Sequence, residues 1–261
     1  MKPDYKNWVP KGMICGFAAG TAALGAACAA LEATSPAIPG RRAVQVLLGT
    51  AALAGGVATG WFTVMHNRFS YDGRRQLSKQ IVEGTAEYAK LPEGGRGLDV
   101  GCGSGALTIA CAKRNPQATM LGIDPWGPEY ASFNKDLCMK NAEAEHVTNV
   151  SFQSGNAIRL DSPDETFDFV TSNYVYHNIT GRNKQELLRE TLRVLKKGGT
   201  FAIHDLMRKA RYGDMDRFVQ SLKDEGYEEV RMIDTTDGLF MSRKEARWMM
   251  LAGSALLVGK K

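Results

Sequence analysis

The stretch LDVGCGSGAL, residues 98–107, sets an acidic residue two places ahead of three glycines at alternate positions. Leu98 and Val100 lead into the glycines and an Ala- and Leu-containing run leads out, which spells strand, tight turn and helix. Glycine reaches backbone conformations that a β-carbon resists, and it lets a ligand approach the main chain. A doubly wound sheet opens for a nucleotide-like ligand at such a turn. The glycines alone do not choose the ligand, because GCGSGA can be forced into the dinucleotide pattern G-x-G-x-x-G/A with Ala106 last. Asp99 and Gly105 discriminate. A carboxylate at the mouth of the strand repels a pyrophosphate and attracts a ligand that carries an ammonium beside a sulfonium.

Past residue 68, strand-like and helix-like segments alternate, the pattern of an α/β domain with a mostly parallel sheet. The spacing predicts helices over 73–90, 104–114, 129–144, 182–195, 215–225 and 243–251. Seven strands read GLDVG, TMLGID, NVSFQSG, FDFVTSN, TFAIHD, EVRMID and ALLVGKK. Gly198 and Gly199 are expected to end the 182–195 helix in left-handed backbone.

Further matches follow the glycine turn in order: GID ending at Asp124, GNA with Asn156 and Ala157, and RVLKKGGTFAI leading into the fifth strand. With them the chain resembles the class I S-adenosylmethionine-dependent methyltransferases over most of residues 71–261, a Rossmann-like fold with a seven-stranded sheet. The resemblance implies S-adenosylmethionine as cofactor, touched by Asp99, Gly101, Cys102, Gly103 and Gly105. It implies that Asp124, followed by Pro125, holds both ribose hydroxyls, and that Asn156 and Ala157 lie beside the adenine. Asn156 stands where the family usually has Asp, and Lys197 where RVLKPGG has proline. Tyr71 is expected to close over the methionine end. Taken singly, Asp99 could cap the turn, Asp124 a helix, and Asn156 an Asx turn.

Methyl transfer from a sulfonium is a direct displacement, so positioning and desolvation supply much of the rate. A weakly acidic acceptor needs a base as well. The family's acceptor site follows strand four, here TSNYVYHNI. Asn173 is expected to touch cofactor or acceptor, and Tyr174, Tyr176 and His177 to line the pocket mouth. His177 is the candidate general base, since histidine titrates near neutrality; the same residue could simply cap the next helix, and Tyr176 could be packing. His204 and Asp205 form an alternative polar pair facing the same crevice. Neither histidine has metal-ligand company, so no metal is expected. The segments around strand four and RVLKKGG look most like the branch that methylates small molecules, including quinone precursors and other lipophilic acceptors. The N-P-P-Y of adenine-modifying enzymes is absent.

Two apolar spans precede this domain, at 13–33 and 43–65, with Glu32 the only charge in either. A bilayer core about 30 Å thick needs about 20 apolar residues, so the spans predict a transmembrane hairpin over 1–67 and a methyltransferase domain over 68–261. The segment TSPAIPGRR turns the chain between them. Lys2, Lys6 and Lys11 before the first span, with Arg68, Arg74, Arg75 and Lys79 after the second, outnumber Arg41 and Arg42 between them. That balance places both termini in the cytosol and the basic stretch against anionic headgroups of the cytoplasmic membrane. A secretory signal or a buried soluble helix pair has a similar composition. Gly16 and Gly20, and Gly56 and Gly60, follow the small-xxx-small spacing that closes a hairpin or joins copies into a homo-oligomer. The net charge of +5 is mild and scattered, so nucleic acid is not an expected partner. Five cysteines without a CxxC pair indicate neither a disulfide framework nor zinc, and fit a reducing compartment. A non-catalytic cofactor sensor and a nicotinamide-dependent oxidoreductase are the rival functions.

Overall fold

The computed structural model describes residues 2–33, 39–127 and 132–261. They divide into two compact units, one of Asn7–Lys79 and one of Met1–Lys6 with Gln80–Lys261.

The first unit is a pair of helices, α1 (Lys11–Ala33, 23 residues) and α2 (Arg41–Phe69, 29 residues). Each is long and apolar enough to cross a membrane, with mean hydropathy of 1.8 and 1.5 over an 18-residue window. No residue of α1 is buried, and in α2 only Met65 and Phe69 are. Leu47 and Leu53 are 70% and 71% exposed. The helices meet where Gly55 faces Thr21 so closely that a β-carbon on Gly55 would collide with the threonine hydroxyl. Phe17 stacks on Phe62 at 5.1 Å, and Arg41 donates to the Glu32 carbonyl at 2.9 Å. At the opposite end Asn7 Nδ2 donates to His66 O at 2.8 Å, and Trp8 lies 5.1 Å from Phe69. Gly16, Gly20 and Gly60 have nothing within 4 Å of a β-carbon position, so the hairpin closes without them. Residues 34–38 of the expected TSPAIPGRR turn lie outside the described residues.

After α3 (Leu77–Ala86), the second unit alternates β1 (Arg96–Val100), α4 (Ala106–Arg114), β2 (Thr119–Asp124), α5 (Lys135–Ala144), β3 (Val150–Ser154) and β4 (Phe167–Asn173). It continues with α6 (Lys184–Arg193), β5 (Leu195–Leu206), α7 (Lys209–Tyr212), α8 (Met215–Asp224), β6 (Glu228–Asp234), α9 (Arg243–Trp248) and β7 (Ser254–Lys260). The seven strands lie in the order β3-β2-β1-β4-β5-β7-β6. All pairings are parallel except those of β7, which runs antiparallel to both β5 and β6. The sheet winds outward through β1, β2 and β3, then returns to β4 beside β1. Ligand crevices form outside the carboxyl ends of strands at such a reversal.

Side chains of successive strand residues point to opposite faces. One face buries Leu98, Val100, Val170, Phe201 and Ile203 with Leu188 and Leu192 of α6 and Phe218 and Leu222 of α8. The other buries Phe169, Ala202, Leu256 and Val258 with Val82 and Ala86 of α3 and Leu107 and Cys111 of α4.

Two expectations shift. Helix α6 stops at Arg193 and β5 starts at Leu195, so Gly198, at φ 78, bends a strand instead of ending a helix. The bend appears as a register shift, with Phe167 opposite Leu195 but Phe169 opposite Thr200. The helix expected from 129 is described from Lys135, residues 128–131 lying outside the described residues.

Helix α4, which follows the glycine turn, is anchored at its far end by Asn115. The Asn115 Oδ1 accepts from Leu91 N at 2.9 Å, while Nδ2 donates to Ala89 O at 2.8 Å and Cys111 O at 2.9 Å. The residue is 4% exposed, so water cannot replace these bonds. Asn115→Ala is expected to cost about 2–3 kcal/mol by stranding buried backbone groups. At about 2–4 °C per kcal/mol for a domain of this size, thermal unfolding followed by circular dichroism should drop by about 5–10 °C.

Candidate active site

β1 ends in a turn whose three glycines hold left-handed backbone, with φ 76 at Gly101, 54 at Gly103 and 81 at Gly105. The Gly101 and Cys102 amides both donate to Ile123 O, at 2.8 and 3.0 Å, which ties the turn to the end of β2. A β-carbon at Gly101 would collide with Val175, and one at Gly105 would press on the Phe152 ring at 3.0 Å. At Gly103 the nearest atom is Phe133 Cδ1 at 4.0 Å, so the turn presents an open surface there.

Asp124 stands beside this opening at the end of β2. Its Oδ2 accepts from Gly103 N at 2.9 Å and its Oδ1 from Trp126 N at 2.8 Å. Trp126 Nε1 and Cys138 Sγ both bond Gly103 O, at 3.0 and 3.2 Å, which fixes the turn from behind. An open glycine surface flanked by such a carboxylate fits the ribose diol and amino acid end of S-adenosylmethionine. Pro125 follows Asp124 with its ring exposed. After β3, Asn156 is exposed and turns back on itself, accepting from Ile158 N at 2.9 Å, while Ala157 is buried at the same bend.

Asp99 is not at the mouth of the strand where the sequence suggested it. Alternation along β1 sends it to the α4 face. There it is 1% exposed and accepts from Thr108 Oγ1 at 2.7 Å. Burial pushes its carboxyl up to about 7; the Thr108 bond opposes that rise and the Asp124 charge adds to it. The thiol of Cys102 is also buried and raised by burial.

The segment after β4 lies against the turn, through the Val175 contact at Gly101. It opens with Tyr174 in left-handed backbone at φ 56, an uncommon conformation for a bulky residue. Tyr174 OH bonds Ser254 Oγ at 2.6 Å. His177, its side chain 15% exposed, places Nδ1 2.5 Å from Asp205 Oδ1, and Asp205 is fully buried. Asp205 also receives the His177 and Leu206 amides at 3.2 and 2.6 Å. With a carboxylate on Nδ1, the tautomer that satisfies the pair protonates Nδ1 and leaves Nε2 basic. Arg211 NH1 donates to His177 O at 3.0 Å and holds the residue from the other side.

Other polar residues expected here turn inward. Tyr176 is fully buried, its hydroxyl 2.6 Å from Thr191 Oγ1 on α6, and so belongs to the core and not the pocket mouth. His204 is also fully buried, with Nδ1 on Asn173 Oδ1 at 2.8 Å and Nε2 on Thr235 Oγ1 at 2.9 Å. Burial holds the His204 imidazole down at about 3, neutral throughout the working range. The phenols of Tyr174, Tyr176 and Tyr212 are all pushed up, in each case chiefly by burial. Of the two histidines, His177 is bonded at one ring nitrogen and His204 at both. Pairing His204 with Asp205 fails because neighbours on one strand face opposite sides of the sheet. That alternation was available in the sequence and pointed to a separate partner for Asp205. Trp126 and Val175 carried no sequence signal. Tyr71 lies in the unit of Asn7–Lys79, apart from the unit that holds these residues, and stays an expectation.

Residues 91–250 match the family model described as a methyltransferase domain. A demethylmenaquinone methyltransferase of Bacillus licheniformis is 30% identical over 137 residues, which are 52% of this chain and 55% of that one. A 2-phytyl-1,4-naphtoquinone methyltransferase of Thermosynechococcus vestitus is 29% identical over 134 residues, 51% of this chain and 54% of that one. The chain thus spans about half the length of the curated relatives it matches. The crystal structure of the (4+2)-cyclase SpnF covers 73% of this chain and 84% of its own, with a TM-score of 0.54 and 22% identity. A likeness at that identity shows the fold alone. The glycine turn, the Asp124 carboxylate and the family match over most of the sheet agree: the chain belongs to the methyltransferase-domain family, with S-adenosylmethionine as its cofactor.

Proposed function

We propose that this chain is a membrane-anchored methyltransferase, its catalytic domain facing the cytosol, that methylates a small lipophilic acceptor such as a quinone, a lipid or a thiol. The observation that carries this reading is the pair of apolar helices, α1 and α2, whose most apolar 18-residue windows contain no buried residue. A helix pair with leucines about 70% exposed is unstable in water and stable in hydrocarbon. Basic residues at both outer ends orient the hairpin with its termini inward. The quinone methyltransferases among the relatives support the acceptor class.

S-adenosylmethionine supplies an electrophilic methyl group on a positively charged sulfur. The glycine turn gives a close-fitting backbone, Asp124 binds the ribose hydroxyls, and Asn156 and Ala157 border the adenine. Asn173 and Tyr174 shape the acceptor side. His177 is the general base: Nε2 takes the acceptor's proton, and Asp205 stabilises the resulting imidazolium through Nδ1. The dyad suits an acceptor with a weakly acidic hydroxyl, thiol or ring carbon.

Labelled transfer separates these claims. Membranes carrying the full chain, incubated with S-adenosylmethionine radiolabelled on its methyl group, are expected to place label in the organic-solvent extract. Label confined to water-soluble products would overturn the lipophilic acceptor. The same membranes washed in alkaline carbonate should retain the chain in the pellet.

His177→Ala should lower the labelling rate at saturating cofactor by about a hundredfold or more, the usual range for loss of a general base. Asp205→Asn should lower it as well, because an amide on Nδ1 no longer selects the tautomer that leaves Nε2 able to accept a proton. Unchanged rates in His177→Ala would remove the base assignment.

Asp99 faces α4 and not the ligand, so it acts on the cofactor only through its charge, which makes cofactor affinity depend on pH. A carboxyl at about 7 is mostly protonated at pH 6 and mostly charged at pH 8. Its charged form favours the net cationic cofactor, so binding draws a proton off Asp99 and weakens as pH falls. If only the charged form binds well, the dissociation constant measured by calorimetry should be about tenfold higher at pH 6 than at pH 8. Asp99→Asn should flatten that dependence.

A further inference from the structure

We propose that Asp4 and Tyr5 form a strap that positions the cofactor turn, so that the segment ahead of the first apolar helix is a working part of the S-adenosylmethionine site. This rests on the assignment of the turn at residues 101–105 to that cofactor.

The link runs through Asn141, on α5 and 2% exposed. Its Oδ1 accepts from Asp4 N at 2.7 Å, and its Nδ2 donates to Asp4 O at 3.0 Å and to Ser104 O at 2.9 Å. One buried amide thereby pairs with both backbone groups of the strap and with the carbonyl at the centre of the glycine turn. Ser104 closes the link from the other side, its Oγ donating to Tyr5 O at 3.0 Å. Tyr5 is pinned in turn: its hydroxyl donates to Glu145 Oε1 at 3.2 Å, and its ring packs on the cluster of Cys102, Ile109, Cys138 and Phe152. Lys6, in left-handed backbone at φ 56, then turns the chain away.

The strap matters because of what the turn lacks. Three of its five residues are glycines, which lose the most backbone freedom on ordering and have no side chain to be held by. Of the two side chains present, that of Ser104 ends on the strap, and the Ser104 carbonyl ends on the amide that the strap engages. Without residues 4 and 5, Asn141 Oδ1 loses its donor, Nδ2 keeps only the Ser104 carbonyl, and the Ser104 hydroxyl loses its partner. Ordering the turn then falls to the cofactor itself, at the expense of affinity.

Equilibrium dialysis of the full chain in detergent against radiolabelled S-adenosylmethionine tests this. Asp4→Pro removes the donating N–H while keeping the chain length. Deletion of residues 2–5 removes the strap, and Asn141→Asp keeps the acceptor for Asp4 but loses both donated bonds. Each is expected to raise the dissociation constant roughly tenfold, the effect of losing one or two hydrogen bonds from the preorganised site. Hydrogen exchange should speed up in the peptide covering residues 101–107 and stay unaltered in β4 and β5. Unaltered affinity in Asp4→Pro and in the deletion would overturn the strap. Equally faster exchange across the sheet would also overturn it, by showing general loosening. Failure of the unsubstituted chain to bind would instead overturn the cofactor assignment, and the strap with it.

Discussion

The Ile123 carbonyl accepts the amides of both Gly101 and Cys102, and the geometry of the site depends on that shared acceptor. It fixes the carboxyl ends of β1 and β2 to one another beside the β1–β4 boundary where the sheet reverses direction. The chain can meet that demand only by turning through left-handed backbone at alternate residues, which is why glycines recur at 101, 103 and 105. Two of them are also hemmed in by neighbours, Val175 at Gly101 and Phe152 at Gly105. Gly103 alone of the three is open, so the position where a ligand can lie against the main chain is set by what crowds the other two.

Around this turn the sheet sorts its polar residues by face. Asp99 and Thr108 pair beneath the turn, His204 is locked between Asn173 and Thr235, and Asp205 reaches the opposite side to hold His177. Each of these buried side chains has a partner. The partners decide which group retains useful chemistry. His204 is bonded at both ring nitrogens and kept neutral, whereas His177 is bonded at one and keeps partial exposure. Two histidines close in the fold thus differ in role because one strand residue separates the faces they serve.

The alternation of strands and helices was legible in the sequence because each has its own period of apolar residues, and β2 and β4 have the very bounds the spacing gave. The glycine turn and the position of Asp124 were legible because left-handed backbone at alternate residues demands glycine and the apolar period of β2 fixes where that strand ends. Gly198 misled, since a left-handed glycine ends a helix or bends a strand equally well, and only the Phe167–Leu195 pairing decides between them. The placement of Asp99, Tyr176 and His204 was lost for another reason: motif spacing locates a residue along the chain but not the face to which its side chain points. The Asp205–His177 pair spans 28 residues and two strands, and no local pattern carries it.

The division into units bears on how an anchored enzyme would work. Residues 1–6 belong with the sheet, while the chain from Asn7 through α2 forms the other unit, so the polypeptide leaves the cofactor turn and enters the apolar helices within a few residues. Confinement of a site to a surface raises the local concentration of anything dissolved in that surface, in the manner of a short tether. For a lipid-dissolved acceptor this gain applies to acceptor encounter and leaves cofactor affinity untouched, because S-adenosylmethionine arrives from water. A hairpin serving encounter alone could therefore be attached anywhere on the domain. Its attachment through the peptide that braces Ser104 would join the two demands in one stretch of chain, the residues leading into α1 being those that bond the glycine turn.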